Sequence, residues 1–110
     1  GFGFDRKTKK RMRKGRMRLS GELDLHGMTR QEAYRELNIF IEKAFCDSER
    51  EVLVITGKGS KPSGKLGVLR EAVPKWLNET PLKNWVVGFN SASKIHGGEG
   101  ALYVLIRRNK

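Results

Sequence analysis

The chain contains two histidines, His26 and His96, each in a short motif suited to proton or phosphate chemistry. His26 follows Leu23-Asp24-Leu25 and is followed by Gly27. Alternation along an extended segment puts Asp24 and His26 on the same side. A carboxylate so placed can orient an imidazole and hold its charge, and imidazole is matched to proton transfer near neutral pH. His96 opens the run His96-Gly97-Gly98-Glu99-Gly100, two residues after Lys94. Glycines there permit close backbone approach, and a run of exposed N–H groups would form an anion-binding nest. A third stretch, residues 57–67, has four glycines, three lysines and no acid. Within it Gly57 and Gly59 flank Lys58, and Lys61 and Lys65 add two more charges for phosphate. Each motif also has a plainer reading: a hydrogen-bonding histidine, a carboxylate that caps a loop, or a tight glycine turn. The run from Gly59 to Leu66 nearly matches a nucleotide-binding P-loop. However, Leu66 stands where a magnesium-binding hydroxyl is needed and no acidic partner follows the next strand, so nucleotide hydrolysis is set aside.

Three motifs so far apart in the chain need a fold to bring them together. Residues 22–25 alternate as a short strand, broken by Gly27. Thr29 and Glu32 form a capping box, and Ala33, Leu37, Phe40, Ile41, Ala44 and Phe45 give one apolar helix face ending near Asp47. Residues 51–56 are a β-branched run typical of a buried strand. A second helix is expected over about 66–78, with Pro74 inside it as a kink. Residues 85–90 and 101–106 read as a third and fourth strand, the fourth the most apolar stretch in the chain. The order is βαβαββ, and helical crossovers make the first three strands parallel. A central, antiparallel fourth strand then starts on the rim where the first two end. This places residues 24–27, 56–59 and 94–100 together, at the strand ends where such sheets bind ligands. Both helices cover one face of the sheet, and the other face is left open unless something binds there.

The charge is +11 over 110 residues, and it is unevenly spread. Residues 1–20 contain nine Lys or Arg and one acid, Asp5; Arg11, Arg13 and Lys14 are at the centre of this block. Such a block reads as a nucleic-acid-contacting arm, each phosphate contact releasing counterions. Phe2, Phe4, Met12 and Met17 show no usable period, so residues 1–20 are expected to be mobile unless bound, and residues 21–110 to form the folded domain. No apolar run approaches the ~20 residues that span a bilayer. The single cysteine, Cys46, excludes a disulfide framework and a cysteine-based zinc site. No secretory leader is legible, which suits a cytoplasmic protein. The chain opens on glycine and is read as part of a longer or tagged protein.

Taken together, Leu23–Gly27, Ile55–Gly59 and His96–Arg108 resemble the Smr (small MutS-related) domain, found at the end of some MutS-type proteins and as a stand-alone protein. The resemblance spans about residues 22–108 and leaves the basic block outside. It implies a two-layer α+β sandwich, a βαβαββ mixed four-stranded sheet with two helices on one face. That fold is similar to the C-terminal domain of translation initiation factor three, with strand order one-two-four-three. It also implies nuclease activity, as DNA nicking or RNA cleavage. The family's D-x-H signature falls on Asp24 and His26, and its HGxG signature on His96, Gly97 and Gly98 through Gly100.

The expected function is therefore a nucleic-acid-binding endonuclease with Asp24, His26 and His96 as catalytic candidates. Gly57, Lys58, Gly59, Lys61, Lys65, Lys94, Gly97, Gly98 and Gly100 are the expected nucleic-acid contacts, joined by Arg107, Arg11, Arg13 and Lys14. Cleavage of RNA would need no cofactor, because the 2′-hydroxyl supplies the nucleophile. Cleavage of DNA needs an attacking water and would call for Mg or Mn, for which Asp24 alone is a thin ligand set; no resident metal site is expected. The alternative is a non-catalytic DNA- or RNA-binding module associated with DNA repair or recombination. Partners are DNA or RNA rather than a membrane, and a monomer is favoured.

Overall fold

The computed structural model describes residues 5–57 and 68–109. Helix α1 spans Arg6–Arg13, strand β1 Gly21–Asp24, helix α2 Arg30–Cys46 and strand β2 Glu51–Ile55. Helix α3 spans Val68–Leu77, strand β3 Val86–Ser91 and strand β4 Ala101–Ile106, with short 3₁₀ turns around β3 and before β4. The sheet order is β1-β2-β4-β3. β1 is parallel to β2, and β4 is antiparallel to both β2 and β3. This is the mixed sheet that the sequence implies, with the apolar β4 at its centre.

Local rules account for the elements. Thr29 caps α2 through the N–H of Glu32, whose carboxylate reaches back to the Thr29 N–H at 3.0 Å. Ala33, Leu37, Ile41 and Ala44 bury one side of α2 against Leu25, Val52, Val54, Val104 and Ile106. Leu69, Val73 and Leu77 of α3 join the same core, with Pro74 inside the helix as expected. Trp76 packs at the edge of that core and meets Tyr34 edge-on, ring centroids 5.0 Å apart.

The opposite face of the sheet is not open. α1 and the segment that follows it cover this face, burying Met12 and Met17 on Leu53, Ala92, Ala101 and Tyr103. The expectation of an unpacked arm over residues 1–20 is corrected for residues 5–20. Asp5 caps α1 by accepting from the Thr8 N–H at 2.8 Å, and basic residues fill its last turn, where the helix dipole favours them. Glu51 then ties the segment down. It accepts two hydrogen bonds from Arg11, at 2.8 and 2.7 Å, and one from the Arg18 N–H at 2.7 Å. The Glu51 carbonyl takes the Ser20 N–H at 2.8 Å. Two methionine anchors and one bidentate ion pair hold a segment whose own composition is almost wholly polar. The sheet is therefore sandwiched between α2 and α3 on one side and α1 on the other.

Candidate nucleic-acid cleavage site

Strand register brings the motifs to one rim. Asp24, the last residue of β1, is opposite Ile55, the last of β2, and Ile55 is opposite Ala101, the first of β4. Beyond that line the Thr56 and Gly57 N–H groups both donate to the Gly100 carbonyl, at 2.8 and 3.0 Å. Gly57 also sits against His26: a Cβ built there would lie 3.3 Å from the His26 Cβ, and its φ is +84°. The position thus wants glycine both for space and for backbone conformation.

On this rim the Asp24 Oδ1 accepts from the His26 backbone N–H at 3.0 Å and meets the His26 Nδ1 at 2.6 Å. The hydrogen bond from His26 holds the Asp24 carboxyl below its usual value near 3.8, so it stays ionised at neutral pH. The pair is open to solvent, with 69% of the His26 side chain and 46% of the Asp24 side chain exposed. An open rim suits a polymer better than a small metabolite, which would be enclosed. Leu23 and Leu25 pack toward α2 and α3, so alternation puts Asp24 on the α1 face of the sheet.

His96 lies in the loop between β3 and β4, and its Nδ1 is hydrogen-bonded to the Tyr103 hydroxyl. Tyr103 is fully buried on the α1 face. Both imidazoles are thus held through Nδ1 by residues on the same face of the sheet. The loop is braced elsewhere by Arg70 of α3, whose guanidinium meets Glu99 at 2.5 Å. Its glycine N–H groups are taken up by its own turns: Gly97 donates to Lys94, Gly98 to Ser93 and Gly100 to Gly97. The expected anion nest at Gly97, Gly98 and Gly100 is corrected accordingly, and any phosphate contact there falls to side chains.

A groove of about 640 Å³ runs beside this loop, between the end of α1 and the end of β3. Arg13, Lys14 and Lys94 line it with Asn90, Ser91 and Ser93, and no acid is among its lining residues. Packing of α1 explains how cations 80 residues apart come together. Two of the expected contacts lie elsewhere. Arg11 is tied to Glu51 inside the fold rather than turned to the groove. Arg107 follows the far end of β4 and lines a separate groove with Lys83 and Leu77, away from the histidine rim. Lys58, Gly59, Lys61 and Lys65 lie outside the described residues. Sequence reading missed Tyr103 and Ser93 as partners of His96, since nothing in their spacing shows which way the loop folds back. It also missed Glu51, which looks like an ordinary strand-edge charge. The Asp5-x-x-Thr8 start and Gly15 stop around a basic run were the legible signal for α1.

Among the described residues, no three His, Cys, Asp or Glu side chains come together as a metal-binding group, and Asp24 Oδ1 is already engaged by His26. Among the described residues, no helix is long and apolar enough to cross a membrane.

Comparison with known proteins adds an independent line. A family model described as the Smr domain matches residues 23–107. The ribosome rescue factor SmrB of Erwinia tasmaniensis is 36% identical over 102 residues, covering 88% of this chain and 48% of that protein. The probable DNA endonuclease SmrA of Escherichia coli is 32% identical over 98 residues, covering 89% and 51%. The chain therefore spans about half the length of the curated relatives it matches. Among solved structures, YdaL, a stand-alone small MutS-related protein from Escherichia coli, superposes with a TM-score of 0.77 at 30% identity, covering 98% of this chain and 80% of that one. The Smr domain of Thermus thermophilus MutS2 gives a TM-score of 0.67 at 30% identity, covering 79% and 98%.

Proposed function

Because the chain belongs to the Smr domain family, we propose that it is a phosphodiesterase that cleaves RNA from its histidine rim, acting in the cytoplasm. The observation behind this reading is the Asp24–His26 pair, a 2.6 Å contact on an open rim whose β3 end carries a cationic groove. The names of its relatives point to ribosome rescue in one case and DNA cleavage in another. Physical chemistry favours RNA: it brings its own nucleophile, whereas DNA cleavage would need a water activated by a metal.

With its Nδ1–H donated in a hydrogen bond to Asp24, His26 presents a bare Nε2 as general base. It takes the proton of a 2′-hydroxyl, and that oxygen attacks the adjacent phosphorus. The bond from phosphorus to the 5′-oxygen breaks, and the departing oxygen takes a proton from solvent. The products are a 2′,3′-cyclic phosphate and a 5′-hydroxyl. Arg13, Lys14 and Lys94 neutralise the backbone leading away from the cut.

The test is incubation of the chain with end-labelled RNA and DNA, with and without chelator. A 2′,3′-cyclic phosphate formed in chelator, with a fall of about 10²–10⁴-fold in His26→Ala, is the expected result. Cutting of DNA only with added metal would overturn the RNA assignment. Salt-sensitive binding without any product would replace the enzyme by a binding module.

A further inference from the structure

His26 and His96 are held through the same ring nitrogen, but by partners of opposite hydrogen-bonding character. Facing the His26 Nδ1 is an ionised carboxylate, which can only accept. That nitrogen must carry the proton, which leaves Nε2 bare in the neutral ring.

Facing the His96 Nδ1 is a phenol, which has one proton to give and two lone pairs to fill. The Ser93 backbone N–H, 3.3 Å from the Tyr103 oxygen, can only donate and takes one lone pair. The Ser93 hydroxyl stands 3.1 Å from the same oxygen. Two assignments satisfy the phenol. In one, the Ser93 hydroxyl donates to it and the phenolic proton goes to the His96 Nδ1. In the other, the His96 Nδ1 donates and the phenolic proton goes to the Ser93 oxygen, which turns the serine's own proton away to the groove. The first keeps every proton within the three groups, and it pairs the more acidic kind of donor, a phenol, with the more basic kind of acceptor, an imidazole nitrogen.

On this basis we propose that Tyr103 and Ser93 are positioning residues that hold His96 as the neutral Nε2–H form, a hydrogen-bond donor aimed at a phosphoryl oxygen. This deepens the cleavage reading above and rests on it for the identity of the acceptor. The two imidazoles then divide the chemistry: His26 Nε2 receives a proton, and His96 Nε2–H stabilises charge without giving its proton up.

The experiment is long-range ¹H–¹⁵N correlation of the imidazoles in the full chain, above the pH at which both are neutral. The expected spectrum shows His26 as the Nδ1–H tautomer and His96 as the Nε2–H tautomer. Tyr103→Phe, which removes the phenolic donor and keeps the ring, shifts His96 toward a tautomer mixture and leaves His26 unchanged. Ser93→Ala gives a smaller shift in the same direction. In both variants cleavage of RNA falls about tenfold in kcat with KM little changed, the size of one mis-set hydrogen bond. An Nδ1–H tautomer of His96 in the unmodified chain overturns the proposal, even if Tyr103→Phe fails to fold. So does a His96 tautomer that a folded Tyr103→Phe leaves untouched. If the unmodified chain cleaves nothing, the proposed function fails while the tautomer spectrum still decides the hydrogen-bond assignment.

Discussion

At the residue scale the site depends on small geometric margins. Replacing Gly57 by alanine puts a methyl 3.3 Å from the His26 Cβ at a φ of +84°. Strain at such a φ costs about 1–2 kcal/mol. Gly57→Ala is therefore expected to unfold at lower urea and to cut RNA more slowly, through displacement of His26. Asp24→Asn keeps the shape but lets an amide N–H face the His26 Nδ1, which inverts the tautomer that a base requires. Cleavage by that variant should drop by about 10²-fold or more, with RNA binding retained. The pH dependence has a definite sign. Folding lowers the Asp24 pKa, so the pair's stabilisation is present above the ordinary value of 3.8 and is lost as pH falls through the lower folded value. Because both groups are exposed, the effect is under about 1 kcal/mol. Urea titrations of the unmodified chain and Asp24→Asn should differ slightly at pH 5 and converge in stronger acid; an unchanged gap would contradict the assignment. The D-x-H pairing was legible from alternation alone, because strand periodicity fixes side within two residues.

At the scale of elements, α1 is the piece whose role differs most from what composition suggests. Its outer surface is cationic, but Met12 is 1% exposed and packs with the fully buried Tyr103. Met12→Ala should cost about 2–5 kcal/mol, the range for emptying a buried site, read as a lower urea midpoint. Truncation of residues 1–18 is consequently a poor test of binding, since it strips cover from the sheet as well as charge. Gly15, with φ +68°, lies so close to the next layer that an added Cβ would be 2.6 Å from both Ile95 Cδ1 and Ser93 Oγ. Gly15→Ala should therefore disturb the His96 loop at a distance, seen as shifted Ser93 and His96 resonances. α2, α3 and the four strands were readable because each shows a 3.6- or 2-residue period. α1 was not readable by period, because two methionines five residues apart set none; only the Asp5 and Gly15 at its ends marked it, and its stability comes from Glu51 and the sheet rather than from itself.

Across the whole molecule, packing converts a diffuse charge into a directed one. Arg13, Lys14 and Lys94 meet in one groove, whereas Arg11 is consumed by Glu51 and Arg107 lies at the opposite end of β4. The double substitution Arg13→Gln, Lys14→Gln should lower the salt dependence of single-stranded RNA binding by about 1.4 in the log–log slope, at roughly 0.7 per lost phosphate contact. Arg107→Gln should leave that slope unchanged; the reverse pattern would move the binding path to the other end of the sheet. The strands and the meeting of residues 24–27, 56–57 and 94–100 on one rim follow from local periodicity, the apolar fourth strand and crossover handedness, which are properties of short stretches of chain, whereas the full strand order was implied only by the family resemblance. The burial of α1, the hold of Tyr103 on His96 and the separation of Arg11 and Arg107 from the groove follow from contacts between residues distant in sequence. Those contacts exist only once both faces of the sheet are filled, because only then is it fixed which polar groups lose water and must find one another.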